Sequence, residues 1–506
     1  MDPTSAGLRT AVWLTCCGFL AALVAFLINL NRPFGLTDEG FQYLLSRAWA
    51  QHENLFQRFD LLYPAGQYAW YGSFMRFFGD SVWVLRLGRA VLTGITAALV
   101  WHAVGRWSGR AVAWAVAMAV AVADPGMASG FAAAAVLASV LGVARPQHPS
   151  PRVLTLTAAL AGWLLAWRED AAVLALVLAL YVGWRRHGGA LDVLRTAGGF
   201  VAGLAPWLVL EAARGELAPF VSHTAQRVGF LFTRLGQPGY APTVMEVGTA
   251  ATSPRSVVES QLSVLVFVPP LLYSGLLVWQ WWRRHEGWRV EGQHVAAALV
   301  GLAFVPQYLW ERPDVWHLRA HLVVLLPVLG VALGACSAGW RRRGAAALLA
   351  FAAGLGGLLL VQYRISDARL YPCGEGRRIG ARLEKGAPPW ACLPAAPGET
   401  LIVLPWGPGW YAVEGLPPGT RILTTVAAHL DRPGVVETAC ADLGRRTNRW
   451  VITSRGYGRG GQLAGQRALA GVIAGHYREV GAWVGGELWD RVVGGGVGGL
   501  TTTGAR

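Results

Sequence analysis

The chain has 506 residues, 54% of them hydrophobic and only 14% charged, with a positive mean hydropathy of +0.39. That composition excludes a soluble globular protein of this size and indicates a chain that is mostly membrane. The net charge of +15 does not indicate nucleic acid: all but one of the 44 basic residues are Arg, Lys385 being the exception, and many sit in short clusters between apolar runs, as membrane topology requires.

Taken in chain order, the first apolar run, from 10 to 30, is too long for a signal-peptide core and is expected to stay as a membrane anchor. Further runs of spanning character follow at about 84–104, 111–124, 126–144, 153–167, 171–184, 196–213, 261–282, 293–310, 318–340 and 344–363, giving about eleven transmembrane helices. The runs 111–144 and 153–184 each read either as one over-long helix or as a hairpin broken at "DPG" or "RED". Only two hairpins keep Arg106 and Arg110, Arg145 and Arg152, and Arg185, Arg186 and Arg195 on one side. That side, which also takes Arg9 and the "RRR" at 341–343, is expected to be cytoplasmic. The N-terminus then lies inside, and the loop 31–83, the "RED" turn, the loop 214–260, the "ERPD" turn and the tail lie outside.

The first outer loop begins "RPFGLTDEGFQYLLSRAWA". Thr37 reads as a helix N-cap, Asp38 and Glu39 as first-turn acids, and Phe41, Leu44, Leu45, Ala48 and Trp49 as one apolar face, of a helix expected to lie along the membrane surface. Acids in a first helical turn favour the helix dipole by up to about 1 kcal/mol and need no further role, so spacing alone leaves them between cap and catalyst. Next comes "YPAGQYAWYGSFMRFFGDSVWVLRLGRAV", a proline turn, an aromatic amphipathic stretch ending at Gly79 and Asp80, and an Arg-containing entry to the second span.

Further along, "WREDAAV" puts Arg168, Glu169 and Asp170 between two short spans. Such charges either pair with one another, line a hydrated cavity, or form a solvated hairpin tip. The loop 214–260 reads as a surface helix or as a lid over a substrate. In "WERPDVWHLRAHLVVLL", Asp314, His317 and His321 share a helix face. They are open to three readings: lining of a sugar or phosphate pocket, with Arg319 at an anionic head; an interfacial cap; or a metal site for which no fourth ligand is visible. The tail, 364–506, alternates β-like runs ("TLIVLPW", "TRILTTV", "RWVITSR") with helical ones ("GVVETACADLGRR", "LAGQRALAGVIAGHY"), as in a small α/β domain. No phosphate-binding glycine fingerprint accompanies them. A Cys373–Cys392 disulfide is open if the tail is extracytoplasmic. "GGGVGGLTTTGAR" has the composition of a disordered terminus.

The block formed by the Asp38–Glu39 pair after the first span, the Tyr63–Pro64 turn, the membrane-lying helix and the "LR" entry to the second span resembles the GT-C superfamily of integral-membrane glycosyltransferases. Within it the block is most similar to the protein O-mannosyltransferase and lipid A aminoarabinose transferase branch. The resemblance is best over the first 110 residues or so. It implies an α-helical polytopic membrane protein with a transmembrane module over 1–363 and a small extracytoplasmic α/β domain over 364–506, in a bacterial inner or plasma membrane. It implies transfer, with inversion, of a sugar from a polyprenyl-phosphate donor to an acceptor lipid, glycan or protein, with Asp38 as general base, Glu39 positioning sugar or acceptor, and no catalytic metal or other cofactor. Two positions depart from the pattern: Tyr63 stands where a basic residue precedes the proline, and Phe41 where an Arg follows the acids. Recognition of the donor phosphate and sugar then falls to Arg86, Arg89, Tyr63, Arg168, Asp170, Asp314, His317 and Arg319. Arg86 and Arg89 read equally as snorkelling anchors. A flippase would show mid-span charges or internal repeats, and neither is visible; a non-catalytic envelope scaffold would dispense with Asp38.

Overall fold

The computed structural model describes all residues except 1–2, 31, 36–37, 60, 62, 124–127, 144–149, 187, 235–314, 335, 366–368, 372–373, 384–392, 395, 405–408, 424–433, 454–463, 484–485 and 493–506. The chain divides into two compact units. One comprises Met1–Asn31, Tyr63–Phe74 and Trp83–Arg364; the other comprises Arg32–Leu62, Met75–Val82 and Ile365–Arg506. Most of the loop 31–83 therefore groups with the C-terminal third of the sequence rather than with the spans that flank it.

The first unit is helical. Among the described residues it contains α1 (Pro3–Asn29), α5 (Val82–Ser108), α6 (Arg110–Ala123), α7 (Ala128–Val143), α8 (Pro151–Leu164), α9 (Glu169–Arg185), α10 (Ala190–Ala213), α11 (Leu217–Arg234), α12 (Val315–Gly334) and α13 (Ala338–Ile365), where the first residue of α5 belongs to the other unit. Nine of the eleven expected spans are thus helices, and the expected spans 261–282 and 293–310 lie outside the described residues. Of the two doubtful runs, 153–184 is broken, α8 from α9 at residues 165–168, while the expected turn of the other, at 124–127, lies outside the described residues. Among the described residues four helices are long and apolar enough to cross a membrane: Thr10–Asn29, Val82–Ser108, Ala190–Ala213 and Ala338–Val361. Their outer faces carry Phe19, Val209 and Leu358, each more than 60% exposed, the pattern of side chains that meet acyl tails.

The short α6 is buried along ten of its fourteen residues and packs against α1, α5, α12 and α13 through Val112, Val116, Val120 and its alanines. A helix apolar all round belongs inside a bundle, and fourteen residues rise only about 21 Å, so α6 takes its place from protein contacts. The α8–α10 pair is closer still. A β carbon on Gly199 would sit 2.6 Å from the Thr155 carbonyl oxygen, and Gly162 and Gly203 meet the Phe200 and Ala159 carbonyls with no room for one. Small residues at three- and four-residue spacing let the two backbones touch, which is how apolar helices gain packing energy where no hydrophobic effect separates protein from lipid. Ser150 caps α8, accepting from the Val153 N–H, with Pro151 at the first helical position.

The second unit holds α2 (Asp38–Ala50), α3 (Leu55–Arg58), the end of α4 (Gly66–Phe78) and the C-terminal elements. The latter include α14 (Gly374–Arg378), α15 (Gly409–Glu414), α16 (Val435–Gly444), α17 (Ala464–His476), and strands β1 (Arg369–Leu370), β2 (Arg382–Leu383), β3 (Thr400–Leu404), β4 (Asn448–Thr453), β5 (Tyr477–Trp483) and β6 (Gly486–Arg491). A four-stranded sheet runs in the order β3-β4-β6-β5, parallel between β3 and β4 and antiparallel elsewhere; β1 and β2 form a separate antiparallel pair. Ile402, Val451, Leu443, Leu469 and Ile473 fill the core between sheet and helices. This is the small α/β region expected of the tail, with one difference: "TRILTTV" contributes buried Ile422 and Leu423 but no strand at 421–423, while the edge hairpin is made by β5 and β6. Cys373, Cys392 and the glycine-rich terminus lie outside the described residues.

Candidate functional site

Asp38 is the first residue of α2 and its side chain is exposed; among the described residues it makes no hydrogen bond or ion pair. Thr37, the expected cap, lies outside them. Glu39, one residue on, is 3% exposed, and its Oε2 accepts from the Gly35 N–H at 2.9 Å, while the Gly40 N–H donates to the Gly35 oxygen at 2.7 Å. A step of about 100° around a helix turns one acid outward and the other inward. Asp38 is thus open to take a proton, and Glu39 is committed to holding the chain's entry into the helix.

α2 is not merely amphipathic. Gln42, Tyr43 and Ser46 are buried along with the expected Phe41, Leu45, Ala48 and Trp49, because residues of the C-terminal third cover a second face. Gly40 meets the backbone of Gly409 at the start of α15 so closely that no β carbon fits between them. The Phe34 N–H donates to the Arg382 oxygen at 2.6 Å, and Tyr43 Oη donates to the Asp80 oxygen at 3.4 Å. Burial, first, and the nearby Asp80 charge push the Tyr43 hydroxyl well above its ordinary pKa, so it stays a neutral donor.

Near the other end of α2, Arg47 enters a ring of four charges. Its Nη1 lies 2.9 Å from Glu375 Oε1, and its Nε lies 2.9 Å from Asp80 Oδ2, an ion pair too poorly aligned to count as a hydrogen bond. Arg378 closes the ring with bidentate contacts to Asp80 at 2.7 and 3.0 Å and to Glu375 at 2.7 and 2.8 Å. Hydrogen bonding from Arg378 holds the Glu375 carboxyl below its ordinary pKa, and the same two carboxylates raise that of Arg378. Two cations and two anions cancel, and planar guanidinium forks give the ring directional hold. Of these residues only Asp80 figures in the sequence reading, as the end of an amphipathic stretch. Arg378 and Asp80 are 298 positions apart, a pairing with no local signal.

The remaining candidates belong to the helical unit. Arg86, 4% exposed, donates through Nη1 to the Asn29 and Leu30 carbonyls at 3.1 and 3.5 Å and stacks near Trp83. It therefore satisfies carbonyls at the C-terminal end of α1, where a cation is favoured. Arg89, one turn on, is 6% exposed. Both arginines are covered by protein, which is not where a snorkelling anchor keeps its head. Tyr63 is half-buried in the turn before α4, where the Gly66 N–H donates to the Ala166 oxygen at 2.7 Å and a β carbon on Gly66 would stand 2.5 Å from that oxygen.

In the "RED" turn, Arg168 and Asp170 pair with each other, at 3.1 and 2.6 Å. Glu169, unassigned by sequence, is 5% exposed and accepts from Arg227 Nε of α11 at 2.6 Å. Trp167 beside the turn stacks in a group with Trp70, Phe131 and Trp207, and Trp207 in turn with Trp163. The loop 214–260 contributes α11, and its residues 235–260 lie outside the described residues. A second acidic group escaped the sequence reading: Glu211 and Glu216, 1% and 0% exposed, flank Arg214, whose Nε is 3.9 and 3.7 Å from them. Asp314 lies outside the described residues, and His317 and Arg319 fall in the first turns of α12. Among the described residues no three of His, Cys, Asp and Glu come together in a metal-holding group.

No protein-family model matches the sequence, and no curated protein matches it. Solved structures do. The crystal structure of ArnT from Cupriavidus metallidurans bound to undecaprenyl phosphate is 14% identical, with a TM-score of 0.55 over 95% of this chain and 98% of that one. The same protein in the apo state gives 0.55 over 96% and 98%. The Archaeoglobus fulgidus oligosaccharyltransferase in complex with Zn and sulfate gives 0.45 at 13% identity, over 94% of this chain and 73% of that one. ArnT is a lipid A aminoarabinose transferase, and the likeness to it covers nearly the full length of both chains. The chain therefore shares the fold of that structure over nearly its whole length, with helices long and apolar enough to cross a membrane and a small C-terminal α/β region.

Proposed function

We propose that this protein is a membrane glycosyltransferase that moves a sugar from a polyprenyl-phosphate donor to an acceptor hydroxyl or amine at the extracytoplasmic face, with Asp38 as general base. The observation that carries the reading is the carboxylate of Asp38, exposed and without a hydrogen bond or ion pair among the described residues, at the head of a helix otherwise buried over nine of its thirteen residues, in a chain that shares the fold of ArnT.

In the reaction the Asp38 carboxylate takes the proton of the acceptor while the acceptor's lone pair forms the new bond to the anomeric carbon. The bond from that carbon to the phosphate oxygen breaks with its electron pair, and polyprenyl phosphate leaves from the opposite face, so the configuration inverts. The ArnT structure, described as bound to undecaprenyl phosphate, supports a donor of this class. For the phosphate the reading keeps the arginines Arg86, Arg89, Arg168 and Arg319 as candidates, of which Arg86 also donates to the α1 carbonyls and Arg168 to Asp170. Orientation follows from the arginine clusters, which lie on one side only if the breaks α6/α7 and α8/α9 are hairpin turns. The N-terminus is then cytoplasmic, and Asp38 and the C-terminal residues are extracytoplasmic.

The test is transfer of labelled sugar from a polyprenyl phosphate by membranes containing wild-type or Asp38→Asn protein at matched levels. Loss of about three orders of magnitude in kcat is expected, the middle of the range for a general base. Wild-type turnover in Asp38→Asn would overturn the assignment, and accumulation of one polyprenyl-phosphate sugar in a deletion strain would name the donor.

A further inference from the structure

The clearest unexplained arrangement outside Asp38 itself is how firmly α2 is held, and by which part of the chain. α2 is fixed at two places. Two residues after Asp38, Gly40 lies in backbone contact with Gly409, with no space for a β carbon. Seven residues farther on, about 10 Å along the helix, Arg47 is gripped by Asp80 and Glu375, both of which Arg378 holds in bidentate fashion. The entry to the helix is fixed too, by Phe34 N–H on the Arg382 oxygen.

Every partner except Asp80 comes from residues 375–409. Two fixed points on a rigid helix remove sliding along its axis and most tilting, and the ring of forks resists rotation about it. Asp38, at the head of the helix so held, is its one exposed acid and makes no hydrogen bond or ion pair among the described residues, while Gln42 Oε1 and Ser46 Oγ, also without partners there, are buried. Stability alone gives no reason to spend two glycines and four charges on one thirteen-residue helix whose apolar face is already buried.

We infer that Gly40, Gly409 and the ring of Arg47, Asp80, Glu375 and Arg378 are positioning residues for Asp38, so that the C-terminal third is a working part of the transferase centre. The inference rests on the reading of Asp38 as base. Transfer needs the base within hydrogen-bond reach of the acceptor, and a displacement of about 1 Å costs on the order of a hundredfold in rate. A positioning role of this kind acts on the chemical step and leaves donor binding alone.

The experiment compares full-length Gly40→Ala, Arg378→Ala and Arg378→Lys with Asp38→Asn and wild type, reading kcat, KM for the donor and the thermal midpoint. Gly40→Ala, whose methyl must push α2 off Gly409, is expected to lower kcat by one to two orders of magnitude with KM for the donor within about twofold. Arg378 is half exposed, so Arg378→Ala serves even where Gly40→Ala fails to fold; it should lower kcat in the same way with a loss of midpoint too small to account for it, and Arg378→Lys should recover part of kcat. Full kcat in folded Gly40→Ala or in Arg378→Ala, with Asp38→Asn inactive, overturns the positioning role while the base stands. Activity in Asp38→Asn overturns the base itself. A fall in kcat that follows the thermal midpoint, unrelieved by Lys, assigns the ring to stability and overturns the inference.

Discussion

Glu169 Oε1 accepts a hydrogen bond from Arg227 Nε at 2.6 Å, with the carboxylate side chain 7% and the guanidinium 22% exposed, and so ties the first turn of α9 to the middle of α11. The two ends of this pair are unequally placed. Removing Glu169 leaves Arg227 able to reach water; removing Arg227 strands a nearly enclosed carboxylate. Arg227→Ala is therefore expected to cost about 3 kcal/mol and Glu169→Gln clearly less, read as thermal midpoints in one detergent. Equal losses would show that the pair is hydrated.

The α8–α10 contact makes a second prediction. Gly199 and Gly203 form a glycine pair at four-residue spacing on α10, and Gly203 meets the Ala159 carbonyl. Gly203→Val should push the helices apart at a cost of about 3 kcal/mol. Gly198→Val, next door in open space, should cost much less. The readout is the thermal midpoint and proteolytic resistance of the two variants.

Acid should loosen the ring around Arg47. The Glu375 carboxyl is held below its ordinary value of 4.5, chiefly by hydrogen bonding from Arg378 and secondarily by the Arg47 charge, so its contribution is present above about pH 4.5 and is lost as pH falls through the lowered value. The difference in midpoint between wild type and Glu375→Gln should shrink below that pH. Glu414 behaves in the opposite sense. Burial raises its pKa, against the hydrogen bonds from Tyr371 and the Leu393 N–H, so its contribution is full at low pH and fades as pH rises above the ordinary value. The wild-type advantage over Glu414→Gln should therefore narrow toward neutral pH.

Glu211 is expected to be a net cost to the fold. Both its carboxylate oxygens are buried without a hydrogen bond, and Arg214 is 3.9 Å away. Glu211→Gln, nearly identical in shape, removes the unsatisfied charge and should raise the thermal midpoint, by on the order of 1 kcal/mol at the transition. A fall instead would mean that the carboxylate has a partner beyond the described residues.

The parts of the molecule that were legible in the sequence are those governed by short-range pattern. Apolar length placed nine helices, arginine parity split the run 153–184 into α8 and α9, and first-turn acids put the start of α2 at Asp38. Arg168 and Asp170 pair as adjacent opposite charges in a turn should. Close helix approach had a signal too, the Gly199–Gly203 spacing, but one easily lost among 64 glycines. What could not be read is what depends on distant sequence. Arg86 looks like any interfacial arginine until the end of α1 is seen to lie against it. Gln42, Tyr43 and Ser46 read as the polar side of a surface helix, because nothing near them announces that α15 and residues 375–382 will cover that side. In "TRILTTV" the alternation was strand-like, yet Ile422 and Leu423 are buried outside any strand, because burial rather than ladder pairing sets that pattern.

The Asp80–Arg378 contact also has a consequence for biosynthesis. The ribosome must add 298 residues after Asp80 before its partner exists, which at 5–20 residues per second is about 15–60 s, longer still if membrane insertion delays export of the tail. For that interval the segment carrying Asp38 is present without the framework that later grips it. A nascent or prematurely terminated chain can thus be inserted without that framework, and on the proposed reading competence for transfer arrives only once residues 375–409 have packed on α2.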